Sequence, residues 1–484
     1  MSLTHQTATE IVNLLRTNKV SVVELLDALQ VRISDVDPTV NALPTLCFER
    51  AKKKAEALEK KPASERGVLC GIPVAIKDLE PVSGVRTTWG SPIFADFVPK
   101  ASDCLVEMLE RAGGIPYAKT NTPEFGAGAN TYNEVFGRTL NPWDTSKSCA
   151  GSSGGSAVAL ATGMAWLASG SDLGGSLRNP ASFCSVVGFR PSPGRVAAGS
   201  AGPGAYPSAM GGMPTQPFGV VGPMARNVPD LALMLDAITG VHPFDCKSIP
   251  REAGSFVSAV ESALQGEKKS LKVAFSTDFG ITPVDPEVAE LAMQAAKRFA
   301  QIGCSVDIAH PDFSGVEDIF QTNRAMSFYV SQKNMLKHHR DKLKPEVIWN
   351  IEKAREVTMD DIERVENARG ALLKRTAAFF SEYDLLLSPA TIVPPFPAEQ
   401  RFVEECEGVK FDNYIQWCSI AYAITVTGYP VMSVPAGFTE TGLPVGLQIA
   451  AGPRQEAALL SAAARYEQVS GLSGKVPMNP ISHG

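Results

Sequence analysis

From Cys149 to Met224 the chain runs through 76 residues with only four charged side chains, Asp172, Arg178, Arg190 and Arg195. At the chain's own 20% charged residues, a stretch of that length would carry about fifteen if it lay at the surface, where charges normally reside. The same stretch holds 16 Gly, 11 Ser and 8 Pro. A Gly/Ser linker would share that composition, but Val158–Leu160, Trp166-Leu167 and Val186-Val187 are too apolar for one. Glycine permits close backbone approach and positive φ, and missing charge points to missing solvent. The expectation is a buried, backbone-lined site that the rest of the chain must be large enough to enclose.

The frame for it is ordinary. With 484 residues, 44% of them hydrophobic, and a formal net charge of −6, the chain is neither disordered nor collagen-like. Nor is its surface built to attract nucleic acid. Length alone sets a prior of roughly three domains. Nine cysteines form no Cys-x-x-Cys pair, so neither a zinc ribbon nor a thioredoxin-type site has support. They read as small buried hydrophobes in a reducing compartment. The start, Met-Ser-Leu-Thr-His-Gln, lacks the basic and apolar regions of a signal peptide. No apolar run of about 18 residues is present to span a bilayer. A soluble, cytoplasmic protein with no membrane and no nucleic-acid partner is expected.

Helices announce their starts near the N-terminus. Thr7-Ala8-Thr9-Glu10 and Ser21-Val22-Val23-Glu24 both fit the capping box, and Leu25, Leu26, Leu29, Val31 and Ile33 form an apolar stripe after the second. Residues 48–61 read as a charged surface helix. Gly71-Ile72-Pro73-Val74-Ala75-Ile76 reads as a buried strand ending in Lys77-Asp78. Strands and helices then alternate: a helix over 103–112, a strand at Ile115–Ala118, and a βαβ-like unit over Leu271–Ile308 with its helix stopped by Gly303. Residues 315–380 are rich in Glu, Lys and Arg with no strand signal, and Lys333–Lys344 reads as a solvated helix face. Strands return at Asp384–Leu387, Val431–Val434 and Val445–Ile449, before a helix near 455–469. The fold class expected is α/β, with a mixed, mostly parallel sheet covered by helices on both faces. No repeat or long linker interrupts it. One large unit over 1–484 is therefore expected, with N-terminal helices (1–65), a core (66–310), a helical insertion (315–380) and a C-terminal sheet and helix (381–484).

Familiar short motifs fail in context. Gly151-Ser152-Ser153-Gly154-Gly155 matches the letters of a nucleophile elbow, which needs a strand before it; Asn141–Ser148, polar and carrying Pro142, does not read as one. A histidine partner is also poorly supplied. His5 and His483 are terminal, His338 and His339 fall in the charged helix, and His242 and His310 flank turns. Gly126-Ala127-Gly128 begins a dinucleotide fingerprint, but Thr131 stands where the third Gly belongs, and no phosphate-binding loop motif occurs. What remains is a hydroxyl nucleophile with a base other than histidine. Lys77, at the end of an apolar strand, would need to fall from about 10.4 by roughly three units to be neutral near pH 7. Gly174-Gly175-Ser176 leaves backbone N–H groups unshielded beside a hydroxyl. Taken alone, each has a plainer reading: a lysine snorkelling at a strand end, and a tight turn before a helix capped by Ser176.

Together they meet a resemblance. Gly151-Ser152-Ser153-Gly154-Gly155-Ser156, Ser171-Asp172-Leu173-Gly174-Gly175-Ser176-Leu177-Arg178-Asn179-Pro180-Ala181 and Val186-Val187-Gly188-Phe189-Arg190-Pro191 resemble the amidase signature family. So do Gly71–Asp78, Lys119–Phe125, Arg138–Asp144, Thr427–Pro430 and Gly442–Gln448, in the family's order from about residue 71 to 450. The resemblance implies a Ser-Ser-Lys amide hydrolase with Ser176 as nucleophile, Ser152 as bridging serine and Lys77 as base. It implies an oxyanion hole from the backbone N–H groups of Leu173, Gly174, Gly175 and Ser176. Ser153, Asp172 and Arg178 fall on supporting positions. No metal and no organic cofactor is expected. Two departures are small-for-small: Ala150 where glycine is common, and Ser171 where threonine is usual.

The segment 198–218, rich in Gly, Pro and Met and without charge, departs furthest and is a candidate wall of the acyl or amine pocket. The missing charges around 179–218 point to a small neutral carboxamide bearing an aryl or other apolar group as the partner molecule. Two alternatives stand beside this one. The first is a glutamine-hydrolysing amidotransferase subunit working with partner chains. The second is a non-catalytic scaffold, against which the presence of Lys77, Ser152 and Ser176 argues. Family likeness points to a homodimer.

Overall fold

A computed structural model of the protein describes residues 2–210, 218–266 and 270–482. Eleven strands of the described chain join in one sheet: β1 (Thr45–Leu46), β2 (Pro73–Lys77), β3 (Ile115–Thr120), β4 (Leu167–Asp172), β5 (Val187–Arg190), β6 (Val220–Ala225), β7 (Lys272–Phe275), β8 (Ser305–Ile308), β9 (Leu385–Pro389), β10 (Val431–Phe438) and β11 (Pro444–Ala451). Their spatial order is β1-β3-β2-β4-β6-β5-β10-β11-β9-β7-β8. Pairing is parallel toward both flanks, β3-β2-β4 on one side and β9-β7-β8 on the other. The centre, from β4 through β6, β5, β10 and β11 to β9, is antiparallel.

Both faces are covered, and strand alternation shows it. Val273 and Phe275 of β7, Leu385 and Leu387 of β9, and Leu447 and Ile449 of β11 belong to one core with helices Pro286–Lys297 and Glu456–Ser470. Ala274 and Leu386 between them, and Ala450 next after Ile449, point the other way. They pack into a second core with Ile319 and Phe320 of helix Val316–His339, Leu372 of helix Met359–Phe379, and Ile420 of helix Ser419–Thr427. The expected α/β sheet between helical layers is thus present, and the Glu/Lys/Arg-rich stretch is helical.

Local signals hold in detail and miss in places. Both capping boxes are formed, at Thr7/Glu10 and Ser21/Glu24. Val31, however, lies off the buried stripe of its helix, 63% exposed. The helix after Pro286 tightens to a 3-10 turn at Arg298–Ile302 before Gly303 ends it at φ 88°. Lys333–Lys344 is not wholly a solvated face: Met335 and Leu336 enter a core and Lys344 is buried. All nine cysteines are free; Cys246 is exposed and Cys47 half-buried, while the other seven are buried. No helix among the described residues is long and apolar enough to cross a membrane.

The charge-poor stretch is interior. From Cys149 to Ser200 not one residue is exposed. Its four charges are buried with partners, Asp172 with Arg178 and Arg190, and Arg195 with Glu456 and Glu252. Of segment 198–218, residues 211–217 lie outside the described residues.

Candidate active site

Strands β2 and β4 run parallel, with Ala75 opposite Ala168, so their C-terminal ends open on the same edge of the sheet. In open α/β sheets that edge is where ligands gather. Here it brings Lys77, the last residue of β2, beside Asp172, the last residue of β4, and the turn Leu173–Leu177 that follows. Between them lies the N-terminus of helix Gly154–Ala161, entered through a cis Gly151-Ser152 peptide. Glycine is required in that helix because a Cβ on Gly155 would sit 2.3 Å from the backbone nitrogen of Asn121. The close approach seats Ser152 and Ser153 over the end of β2.

Lys77 is fully buried, with Nζ 2.7 Å from Ser152 Oγ, 2.9 Å from Ser153 Oγ and 3.0 Å from Ser171 Oγ. As an ammonium it donates to all three. Burial pushes its pKa down to about 8, against the opposing pull of Glu80 and Asp172. Ser152 is buried, whereas Ser176 is half-buried, and among the described residues the Ser176 hydroxyl has no hydrogen bond. Backbone ties hold the two loops together: the Ser153 N–H donates to the Ser176 carbonyl at 3.2 Å.

Asp172 organises the turn. Its Oδ1 accepts from the Gly175 N–H (3.0 Å) and Arg178 Nη2 (2.9 Å), and its Oδ2 from the Leu177 N–H (3.2 Å) and Arg178 Nε (3.0 Å). Arg190 Nη1 donates to the Asp172 carbonyl at 2.6 Å. The two guanidiniums hold the carboxyl at about 2, below its usual range, despite complete burial. Arg178 also donates to the Ala421 carbonyl and Thr425 of helix Ser419–Thr427 and to Gln448 of β11, tying the turn to the C-terminal part of the fold. Gly175 takes φ 102°, and a Cβ there would meet Asn179 Oδ1 at 2.5 Å. Its N–H is already given to Asp172. The N–H groups of Leu173, Gly174 and Ser176 have no such bond among the described residues, so the backbone donors open to a ligand differ by one from the expected four.

All nine residues singled out from the sequence therefore lie on this one edge. Ser171, the small-for-small departure, contributes its hydroxyl to Lys77. Sequence reading missed three further members: Arg190, as a second guanidinium at Asp172, and Ser169 and Glu80. Ser169 Oγ accepts from the Lys77 backbone N–H (3.0 Å) and donates to Glu80 Oε2 (2.7 Å). A strand does precede the Gly151-Ser-Ser-Gly-Gly segment, Asp144–Ser148, contrary to expectation. It belongs to a two-stranded hairpin outside the main sheet, so it does not make an elbow. Ser153 is instead held by Lys77 and the Ser171 backbone. No described histidine hydrogen-bonds to Ser152, Ser153 or Ser176, and His242 pairs with Glu107.

Aromatic rings wall the edge. A Cβ on Gly174 would lie 3.1 Å from Phe320 Cζ. Phe320 stacks on Tyr422 at 4.1 Å and 6°, and on Phe218 at 6.4 Å. On the Ser152 side, Gly126 separates Leu79 from Ser152, beside a cluster of Trp89, Phe94, Phe125 and Tyr206.

The Amidase family model matches residues 24–460. The chain is similar to an acylamidase of Rhodococcus erythropolis, 34% identical over 98% of this chain and 97% of that one. It is also 32% identical to the A subunit of a glutamyl-tRNA(Gln) amidotransferase from Heliobacterium modesticaldum, over 99% of both chains. Among solved structures, a bacterial aryl acylamidase of the amidase signature family superimposes with a TM-score of 0.87 at 27% identity, over 97% of both chains.

Proposed function

Since the chain belongs to the amidase signature family and is an amide-hydrolysing enzyme, we propose that it cleaves small neutral carboxamides with an aryl or other apolar group, through an acyl-enzyme on Ser176. The observation that carries the reading is the buried lysine within 2.7 Å of a buried serine hydroxyl, beside a second, half-exposed serine. As a neutral amine, Lys77 donates to Ser153 and Ser171 and keeps its lone pair for the Ser152 proton. Ser152 takes the Ser176 proton as it gives up its own, and Ser176 Oγ attacks the carbonyl carbon. The oxyanion is received by the N–H groups of Leu173, Gly174 and Ser176, with the Gly175 N–H held by Asp172 as a brace. The proton returns through Ser152 to the leaving nitrogen, the C–N bond breaks, and water releases the acid from Ser176.

The aromatic walls support an apolar acyl or amine group, since such faces gain from covering rings. A second reading has its own observation. Arg369 lies with its guanidinium 5.0 Å over Phe218, and its buried Nε has no partner among the described residues. A substrate carboxylate could pair with it, as glutamine would bring to an amidotransferase. The test is two-part. A fluorophosphonate should mark Ser176, located by peptide mass analysis, and the mark should vanish in Ser176→Ala; a mark on Ser153 would refute the assignment. The purified chain alone should then hydrolyse aryl amides faster than glutamine. The reverse order favours the second reading.

A further inference from the structure

Glu80 is a buried carboxylate with nothing obvious to do. It lies one turn past the lysine strand, its N–H donating to the Lys77 carbonyl at 3.0 Å, and it is 2% exposed. Oε2 is held by Ser169, while Oε1 is buried without a partner among the described residues. The neighbouring charges are otherwise engaged. Asp78 takes both Thr88 donors and faces Lys119 at 3.5 Å, and Asp103 accepts from the Leu105 and Gly199 N–H groups and Tyr206. Lys119 donates to the Glu80 carbonyl and to Thr87.

Ser169 and Ser171 stand two apart on β4 and so face the same side, about 7 Å apart along the strand. One bonds Glu80 and the other bonds Lys77 Nζ. The lysine stem therefore spans from the carboxylate to the hydroxyl cluster, in an interior where charges act over such distances.

Resting on the Lys77 reading above, we propose that Glu80 is a positioning residue acting through Lys77. Its carboxylate, fixed by Ser169, stabilises the ammonium that Lys77 becomes when it takes the Ser152 proton. Lys77 is faced by Asp172 from the neighbouring strand as well; Glu80 is faced by Lys77, Lys119, Asp78 and Asp103. Glu80 and Asp172 both favour the charged lysine, while burial opposes it.

The experiment is the rate of fluorophosphonate labelling against pH, since loss of fluoride needs no proton from the relay. Glu80→Gln keeps an acceptor for Ser169 and removes the charge, and Glu80→Met is made alongside in case one variant misfolds. In either folded variant the acid limb should move at least about one pH unit lower, and the alkaline plateau should fall about tenfold, because the lysine is then a weaker base. A purely structural role would lower the rate without moving the limb. A limb that stays in place in a folded variant overturns the proposal. Lys77→Ala separates the two readings. If it labels as fast as the parent, the lysine assignment itself is wrong; if it is silent and Glu80→Gln is unshifted, only the role of Glu80 is.

Discussion

Removing the charge of Asp172 should cost more than any other single change at this edge. In Asp172→Asn one oxygen becomes an amide NH2, which must face either the Gly175 N–H and Arg178 Nη2 or the Leu177 N–H and Arg178 Nε, donors in both cases. Arg178 and Arg190, both fully buried, then lose their shared counter-charge. Breaking a buried pair from one side costs about 3–5 kcal/mol. A second route gives a similar size. The carboxyl is held at about 2 against an ordinary 3.8, and a shift of that size is worth roughly 2.5 kcal/mol of stability for the ionised form. The sign follows from the lowered folded value: the contribution is complete above pH 4 and disappears as pH falls through about 2. Urea unfolding followed by tryptophan fluorescence should show the variant about 3–5 kcal/mol less stable at pH 7, with the gap narrowing toward pH 3. Labelling of Ser176 should fall in the fraction that remains folded, because the turn loses its brace. A variant within about 1 kcal/mol of the parent at pH 7, the range of ordinary surface changes, would refute the idea that the two arginines depend on this carboxylate.

Other expectations are more local. Lys77→Ala should lose at least about 10²-fold in amide hydrolysis while unfolding at the same urea concentration, as befits loss of a general base. In the parent enzyme, activity should climb as pH rises through about 8, because burial sets the lysine there and only its neutral form accepts a proton. Phe320→Ala removes the ring against Gly174, and should lower kcat/KM for aryl amides about tenfold or more relative to small alkyl amides; an unchanged ratio would exclude that wall from substrate contact. Glu467, buried with both oxygens 3.2 Å from the Val228 nitrogen, is pushed up to about 8. Between pH 4.5 and about 8 the folded chain therefore holds a proton that the unfolded chain releases, and stability falls as pH rises. Glu467→Gln should raise stability by about 1–3 kcal/mol at pH 8 and by less at pH 5, read from urea midpoints.

What could be read from the sequence was whatever lies close together along it. The capping boxes and the apolar strand ending in Lys77 are contiguous and took their expected local form; Gly174-Gly175-Ser176 makes a turn before a helix, but Leu177 rather than Ser176 precedes that helix and the Gly175 N–H is given to Asp172. Ser169 and Glu80 were not legible, because what unites them is the parallel register of β2 on β4, and the two strands lie some ninety residues apart. A faint signal existed. Ser169-Gly170-Ser171-Asp172 places hydroxyls at i and i+2, the period of one strand face, and Glu80 is a carboxylate three residues past Lys77. Of the Phe218–Phe320–Tyr422 wall, only Phe218 lay in the uncharged 198–218 segment expected to line the pocket; Phe320 and Tyr422 come from two distant helices and left no such trace.

Three of the four charges of the 149–224 stretch explain why a site can stand in so dry a place. A run with no charge at all would pack well, but it could not hold a turn whose backbone N–H groups point outward, because those groups gain nothing from apolar neighbours. Asp172 supplies acceptors for the Gly175 and Leu177 N–H groups, and Arg178 and Arg190 make the carboxylate tolerable there. Once that turn is fixed from one side, the Leu173, Gly174 and Ser176 donors on the other can remain without protein partners. Arg195 has no part in this: it pairs with Glu456 and Glu252, away from the turn. Substituting Arg195 should thus cost stability while leaving the pH profile of Ser176 labelling unchanged. Substituting Arg190 should weaken labelling more than its effect on unfolding would account for. If the two arginines behaved alike in both assays, the separation of the turn's brace from general packing would not hold.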